Sequence, residues 1–154
     1  MKKIGILMIF IVALLSACTS IEREAGVIRR ITYEGSTFGL IVDAVEVDFQ
    51  NGTRKLYEND LVSREKNPTE FDEIPQSDFT VSKIEDIPEL EQDILDTGTC
   101  DWQEEYIDPD MMDGYQWLLN IYFQNDEVKS IYGSNSAPET FLELRALLSG
   151  KDTV

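Results

Sequence analysis

The sequence predicts an α+β fold, an antiparallel sheet built from hairpins with one face covered by two helices. Two observations carry this. Segments alternating apolar and polar residues with period two run into turn residues, and two other segments pair a helix-start signature with an apolar stripe at helical spacing and a closing glycine. Beyond an apolar N-terminal run, about 137 residues remain, the usual size of one domain.

The first strand is expected over residues 26–33, with 35–39 as its turn. Residues 44–49, Ala-Val-Glu-Val-Asp-Phe, alternate cleanly. Asn51-Gly52 follows, the strongest two-residue hairpin signal, and residues 53–57 can return as the partner strand. A second hairpin is expected where Trp117, Leu119, Ile121 and Phe123 alternate with Leu118, Asn120 and Tyr122. Asn125-Asp126 then turns the chain into residues 128–132. One-sided apolar faces of this kind suit a sheet covered on one side.

The first helix is announced by Asp86 three residues before Glu89, a capping-box spacing, with Pro88 in the opening turn. Ile87, Leu90, Ile94 and Leu95 form its stripe, and Gly98 closes it. In the second, Ser136 and Glu139 repeat the spacing, Pro138 lies in the first turn, Phe141, Leu144 and Leu148 form the stripe, and Gly150 ends it.

The two halves also echo each other. Residues 47–51 (VDFQN) match 121–125 (IYFQN), and 68–74 match 138–144. A duplicated ββα unit would produce this, as would convergence of common hairpin chemistry.

The N-terminus carries a different signal. Lys2 and Lys3 form a basic start, residues 4–15 an apolar run of twelve, and Ser16-Ala17 a small-residue exit, the pattern of a secretory signal. Twelve residues fall short of the ~20 that a spanning helix needs. Leu15-Ser16-Ala17-Cys18 matches the bacterial lipobox, so the chain resembles a bacterial lipoprotein precursor over about its first 20 residues. The resemblance implies that a diacylglyceryl group joins the Cys18 thiol and that cleavage makes Cys18 the first residue. Two acyl chains hold a protein stably at a bilayer, at about 0.8 kcal/mol per buried CH₂. The expected organisation is residues 1–17 signal peptide, 18–25 lipidated tether, 26–150 a single α+β domain and 151–154 a tail. The expected address is the extracytoplasmic face of the cell membrane. Thr19 lacks the aspartate that would favour inner-membrane retention, so the outer membrane is open if the host is Gram-negative.

Acids outnumber bases 30 to 13, giving a formal charge of −17. The excess is local: residues 84–128 hold 14 acids and no Lys or Arg. Such a surface repels phosphate backbones and anionic headgroups, which excludes nucleic acid as the expected partner. Solubility at a membrane surface accounts for the charge, and so does a docking face for a basic partner or divalent cations.

Lipidation of Cys18 uses its thiol, so it forms no disulfide with Cys100, and the fold rests on its core. Cys100 is expected to be a partly buried structural thiol. Asp108-Pro109-Asp110-Met111-Met112-Asp113-Gly114 invites comparison with a calcium loop, but position 5 is Met112, position 6 is Asp113 and position 12 is Leu119. Asp108, Asp110 and Asp113 are left as weak metal candidates, with no cofactor expected. With no histidine in the chain there is no Ser-His-Asp or Cys-His arrangement, and no G-x-S-x-G, P-loop or GxGxxG occurs. No catalytic residue is assigned and no enzyme is expected.

Trp102, Asp113-Gly114-Tyr115-Gln116-Trp117, Gly133-Ser134-Asn135 and Pro138-Glu139-Thr140-Phe141 carry a second resemblance. From Trp102 to Leu148 the chain resembles a module of small uncharacterised secreted or lipoprotein-like products of Gram-positive bacteria. This implies context and element order rather than a mechanism. The chain departs from that pattern at Asn125-Asp126, where a hairpin glycine is usual, and at Tyr115. A looser similarity in element order, centred on Glu34-Gly35-Ser36-Thr37-Phe38-Gly39, is to small α+β inhibitors of bacterial metalloproteases. The functional expectation is a membrane-anchored, non-catalytic module that binds a protein partner at the membrane surface. The alternatives are a secreted-protease inhibitor and a weak cation- or solute-binding lipoprotein.

Overall fold

A computed structural model describes residues 27–59, 67–111 and 113–151. The signal segment, Cys18 and the tether lie outside the described residues. The fold is α+β, as expected. Seven strands, β1 (Ile28–Thr37), β2 (Leu40–Asp48), β3 (Thr53–Glu58), β4 (Thr80–Lys83), β5 (Glu105–Ile107), β6 (Tyr115–Phe123) and β7 (Val128–Ser134), form one sheet. Two helices, α1 (Ile87–Asp96) and α2 (Phe141–Ser149), pack on it. The strand order is β4-β3-β2-β1-β6-β7-β5, antiparallel except for the β5–β7 pair.

β1 occupies the centre, and its partners explain the core. Register aligns Leu56, Val45, Tyr33, Leu119 and Ile131 in one row across five strands. A parallel row runs through Val47, Ile31 and Ile121. These side chains point to one face, where Leu90 and Ile94 of α1 and Phe141, Leu144 and Leu148 of α2 close over them. Ile94, Leu144 and Leu148 are fully buried, each such burial stabilising by about 1.5–3 kcal/mol.

A third row runs Glu58, Asp43, Gly35, Trp117, Gly133, Tyr106. Trp117 lies between two glycines, and its indole rests on Gly133, where a Cβ would fall inside the ring. Tyr106 stacks on it from the far side of Gly133 at 6.1 Å, Phe141 packs at 4.5 Å and Trp102 meets it edge-on. The indole Nε1 donates to the Ser136 carbonyl at 3.0 Å, so the ring also fixes the chain entering α2.

The helix starts separate into one success and one correction. Asp86 caps α1, its carboxylate accepting from the Glu89 amide at 3.0 Å. At α2 the expected Ser136–Glu139 capping box does not form. The helix begins later, with Thr140 as N-cap and no side-chain cap, because the Ser136 carbonyl is taken by Trp117 and the Thr140 hydroxyl donates to the Thr97 carbonyl at 2.7 Å. Gly150, at φ 67°, ends α2. Glu91, absent from the expected stripe, is 2% exposed and accepts the Ile28 amide at 2.8 Å, tying α1 to the start of the central strand.

Turns also differ from expectation. Asp48 pairs with Thr53, so the loop holds four residues rather than the two of an Asn51-Gly52 turn. The Asp48 carboxylate organises it by accepting the Gln50 and Asn51 amides. β1 runs on through a bulge at Gly35/Ser36 to Thr37, and the two-residue turn is Phe38-Gly39. At the β6–β7 turn, Asp126 takes φ 67° where glycine is usual, a conformation Asp tolerates.

The second face is not bare. Residues 67–79, with two short 3₁₀ turns, cover the β2–β3 end, where Ile74 and Phe79 join Ile41, Ala44 and Tyr57 in a smaller core. The echo between halves stops here. Phe71 sits in a 3₁₀ turn beside Phe79, whereas Phe141 opens α2 in the larger core, so the likeness covers the hairpins and not a ββα unit. On the β7 part of that face Val128 and Tyr132 are exposed, whereas Thr32 of β1 is buried.

Gly133→Ala should unseat Trp117 from its row, costing about 2–3 kcal/mol of stability in denaturant unfolding. A surface change such as Val128→Ala, at a residue 52% exposed, should stay within about 0.5 kcal/mol.

Candidate functional site

Gly35 does on one side of Trp117 what Gly133 does on the other. Without a Cβ there, the Tyr115 hydroxyl and the Asp43 carboxylate occupy the space above the strand. Tyr115, which opens β6, donates to Asp43 at 2.9 Å and shares a short hydrogen bond with the Tyr33 hydroxyl. Arg145 of α2 reaches the second oxygen of Asp43 at 2.5 Å and lies over the rings of Tyr33 and Tyr115 at 5.4 and 5.6 Å. Two tyrosines, a carboxylate and a guanidinium are thus drawn from three strands and a helix. Tyr33, Asp43 and Arg145 line a cavity of about 270 Å³ together with Leu56, Tyr57, Leu142 and Ser149.

Burial sets the electrostatics. It pushes both phenols well above their ordinary value, and the negative Asp43 pushes each further. Burial disfavours the Arg145 charge, yet Tyr33, Asp43 and Tyr115 outweigh this and its pKa rises overall. The tyrosines therefore stay protonated and act as donors, not as bases. Asp43 has both oxygens engaged, by Tyr115 and Arg145. The cluster clamps α2 to the sheet, with its chemical capacity spent on internal partners.

The weak metal candidates do not converge. Asp108 accepts the Asp110 amide at 3.0 Å, closing its own turn; Asp108 is half-buried, and Asp110 and Asp113 are exposed. Among the described residues no group of three or more Asp, Glu, Cys or His side chains is placed to hold a metal ion. Cys100 is 8% exposed in the larger core. Its carbonyl and that of Trp102 accept from Lys129 at 2.8 and 2.6 Å, so a lysine outside the acidic stretch finishes this turn.

What does stand out toward solvent is the end of the sheet where β1 turns into β2. Phe38 is 78% exposed at the turn. Ile107, at the end of β5, and Met111, in the loop leading into β6, are 53% and 56% exposed. Register brings these together at one end, since Thr37 pairs with Tyr115, Gln116 with Ser134, and Ser134 with Ile107. No sequence signal marked Phe38, because turn chemistry points to Asn, Asp or Gly at such a position. No family model, curated protein or solved structure matches the chain.

A tyrosine whose folded pKa is raised stabilises the fold fully below its unfolded value, about 10, and that contribution is lost as pH climbs through the folded value. Stability should therefore fall steeply above pH 10. Tyr115→Phe should cost about 1–2 kcal/mol at pH 7 and flatten the alkaline slope, as read by denaturant midpoints between pH 7 and 12.

Proposed function

We propose that this protein is a lipid-anchored, extracytoplasmic module that holds a protein partner at the membrane surface without catalysing a reaction. The observation that carries the reading is the N-terminal order: Lys2-Lys3, the apolar run of residues 4–15, then Leu15-Ser16-Ala17-Cys18. Among the described residues no helix is long and apolar enough to cross a membrane. An acyl anchor on Cys18 would supply the attachment.

The architecture suits this use. The tether of residues 18–25 leads almost directly into β1, the central strand, which is hydrogen-bonded to neighbours on both sides. Its first amide, that of Ile28, is further held by Glu91 of α1. A load on the tether is thus met by the middle of the sheet rather than by an edge. The described surface is dominated by carboxylates, which repel anionic headgroups and favour standing off the bilayer.

Wild-type chain should label with radioactive palmitate and fractionate with membranes. Cys18→Ala should lose the label and most of the membrane-bound fraction, and a variant still processed and membrane-bound would overturn the anchor.

A further inference from the structure

We propose that Phe38 is the anchor by which this domain docks into an apolar pocket, rimmed by lysine and arginine side chains, on a partner protein. The proposal rests on the reading of the protein as an interaction module and supplies its contact residue and the chemistry of its partner.

Phe38 and Gly39 both have positive φ, 53° and 73°, the pattern of a type I′ turn. Glycine adopts this at no steric cost and Asn or Asp at little, whereas an aromatic residue is strained there. Strain of this kind persists where surrounding packing over-determines it or where function keeps it. Packing inside the domain does not repay Phe38, whose side chain stands in solvent at 78% exposure. The fold therefore bears two costs at one residue, a disfavoured backbone and an exposed ring. Burying an aromatic side chain, which covers 150–250 Å², in a partner offsets both.

Place and charge select the occupant. β1 is ten residues long, about 33 Å at ~3.3 Å per residue, and Phe38 follows its last residue while the tether enters at its first. The tip is thus at the end of β1 opposite the point where the chain enters it. Carboxylates flank it on both sides. Glu34 lies three residues before the end of β1, with Glu70 and Asp72 close enough to raise its pKa after burial has done so. On the other side Asp108, Asp110 and Asp113 lead toward Tyr115, the partner of Thr37. A lipid surface with anionic headgroups and a second copy of a chain of charge −17 are both repelled by this ring. A protein pocket with basic margins is complementary to it, the apolar centre giving affinity and the charges orientation and encounter rate. Ile107 and Met111, exposed at the same end, widen the apolar footprint.

The test starts with photo-crosslinking in intact cells that make the protein, with p-benzoylphenylalanine in place of Phe38. The control carries it in place of Val81, 59% exposed on strand β4 at the sheet's edge. The adduct specific to position 38 is identified by mass spectrometry. That protein is then purified and titrated with the detergent-solubilised full chain. The expected result is one dominant protein adduct, a Kd that weakens with salt, and at least a tenfold loss of affinity in Phe38→Asn. The same variant should have a higher Tm, because Asn accepts the left-handed backbone; a lower Tm together with weakened binding would mean lost structure and count against the proposal. Adducts only to phospholipid or to another copy, no adduct above the Val81 control, or equal binding by Phe38→Asn overturns it. A wild-type chain that fails to fractionate with membranes overturns the anchored reading instead, whatever Phe38 binds.

Discussion

Trp117 needs a floor, and Gly133 is that floor. A flat indole lying across a strand is possible only where the neighbouring strand carries no side chain, and the register of β6 against β7 puts Gly133 there. Once seated, the ring collects Trp102, Tyr106 and Phe141 and takes the Ser136 carbonyl. This one placement ties β5, β7, the turn after α1 and the start of α2 into the same core. Aromatic pairs of this geometry add roughly 0.5–1.5 kcal/mol each beyond their buried area.

The other neighbour of Trp117 in the row, Gly35, leaves room for polar groups instead of a ring. The difference follows from what stands alongside: Asp43 on β2 and Tyr115 two residues before Trp117 reach over Gly35 and meet Arg145. A half-buried carboxylate with a single partner would be costly, and here it has a phenol and a guanidinium. The network is satisfied from within. Through it Arg145 clamps α2 to the sheet.

The interior of the row is saturated, while the two ends of the sheet differ in kind. At one end the chain enters β1, where Glu91 accepts the Ile28 amide. At the other the β1–β2 turn presents a strained, exposed aromatic among carboxylates.

Much of this was legible in the sequence. Both expected hairpins formed, α1 was capped by Asp86 and both helices ended at glycine, because these features depend on residues only a few positions apart. The late start of α2, the buried Glu91 and the cover over the second face were not legible. Each depends on a partner far along the chain: Trp117 and Thr97 for α2, Ile28 for Glu91, and Ile41, Ala44 and Tyr57 for residues 67–79. The same holds for the polar cluster, whose members Tyr33, Asp43, Tyr115 and Arg145 are separated by up to about a hundred residues, and for Phe38, whose backbone contradicts its residue type. The sequence by itself determined the fold class and where both helices stop, since short-range sterics and hydrogen bonds specify them. Only the tertiary structure decided which glycine carries a ring, which carries a polar network and which aromatic is left outside, because register is set by the packing of the whole sheet.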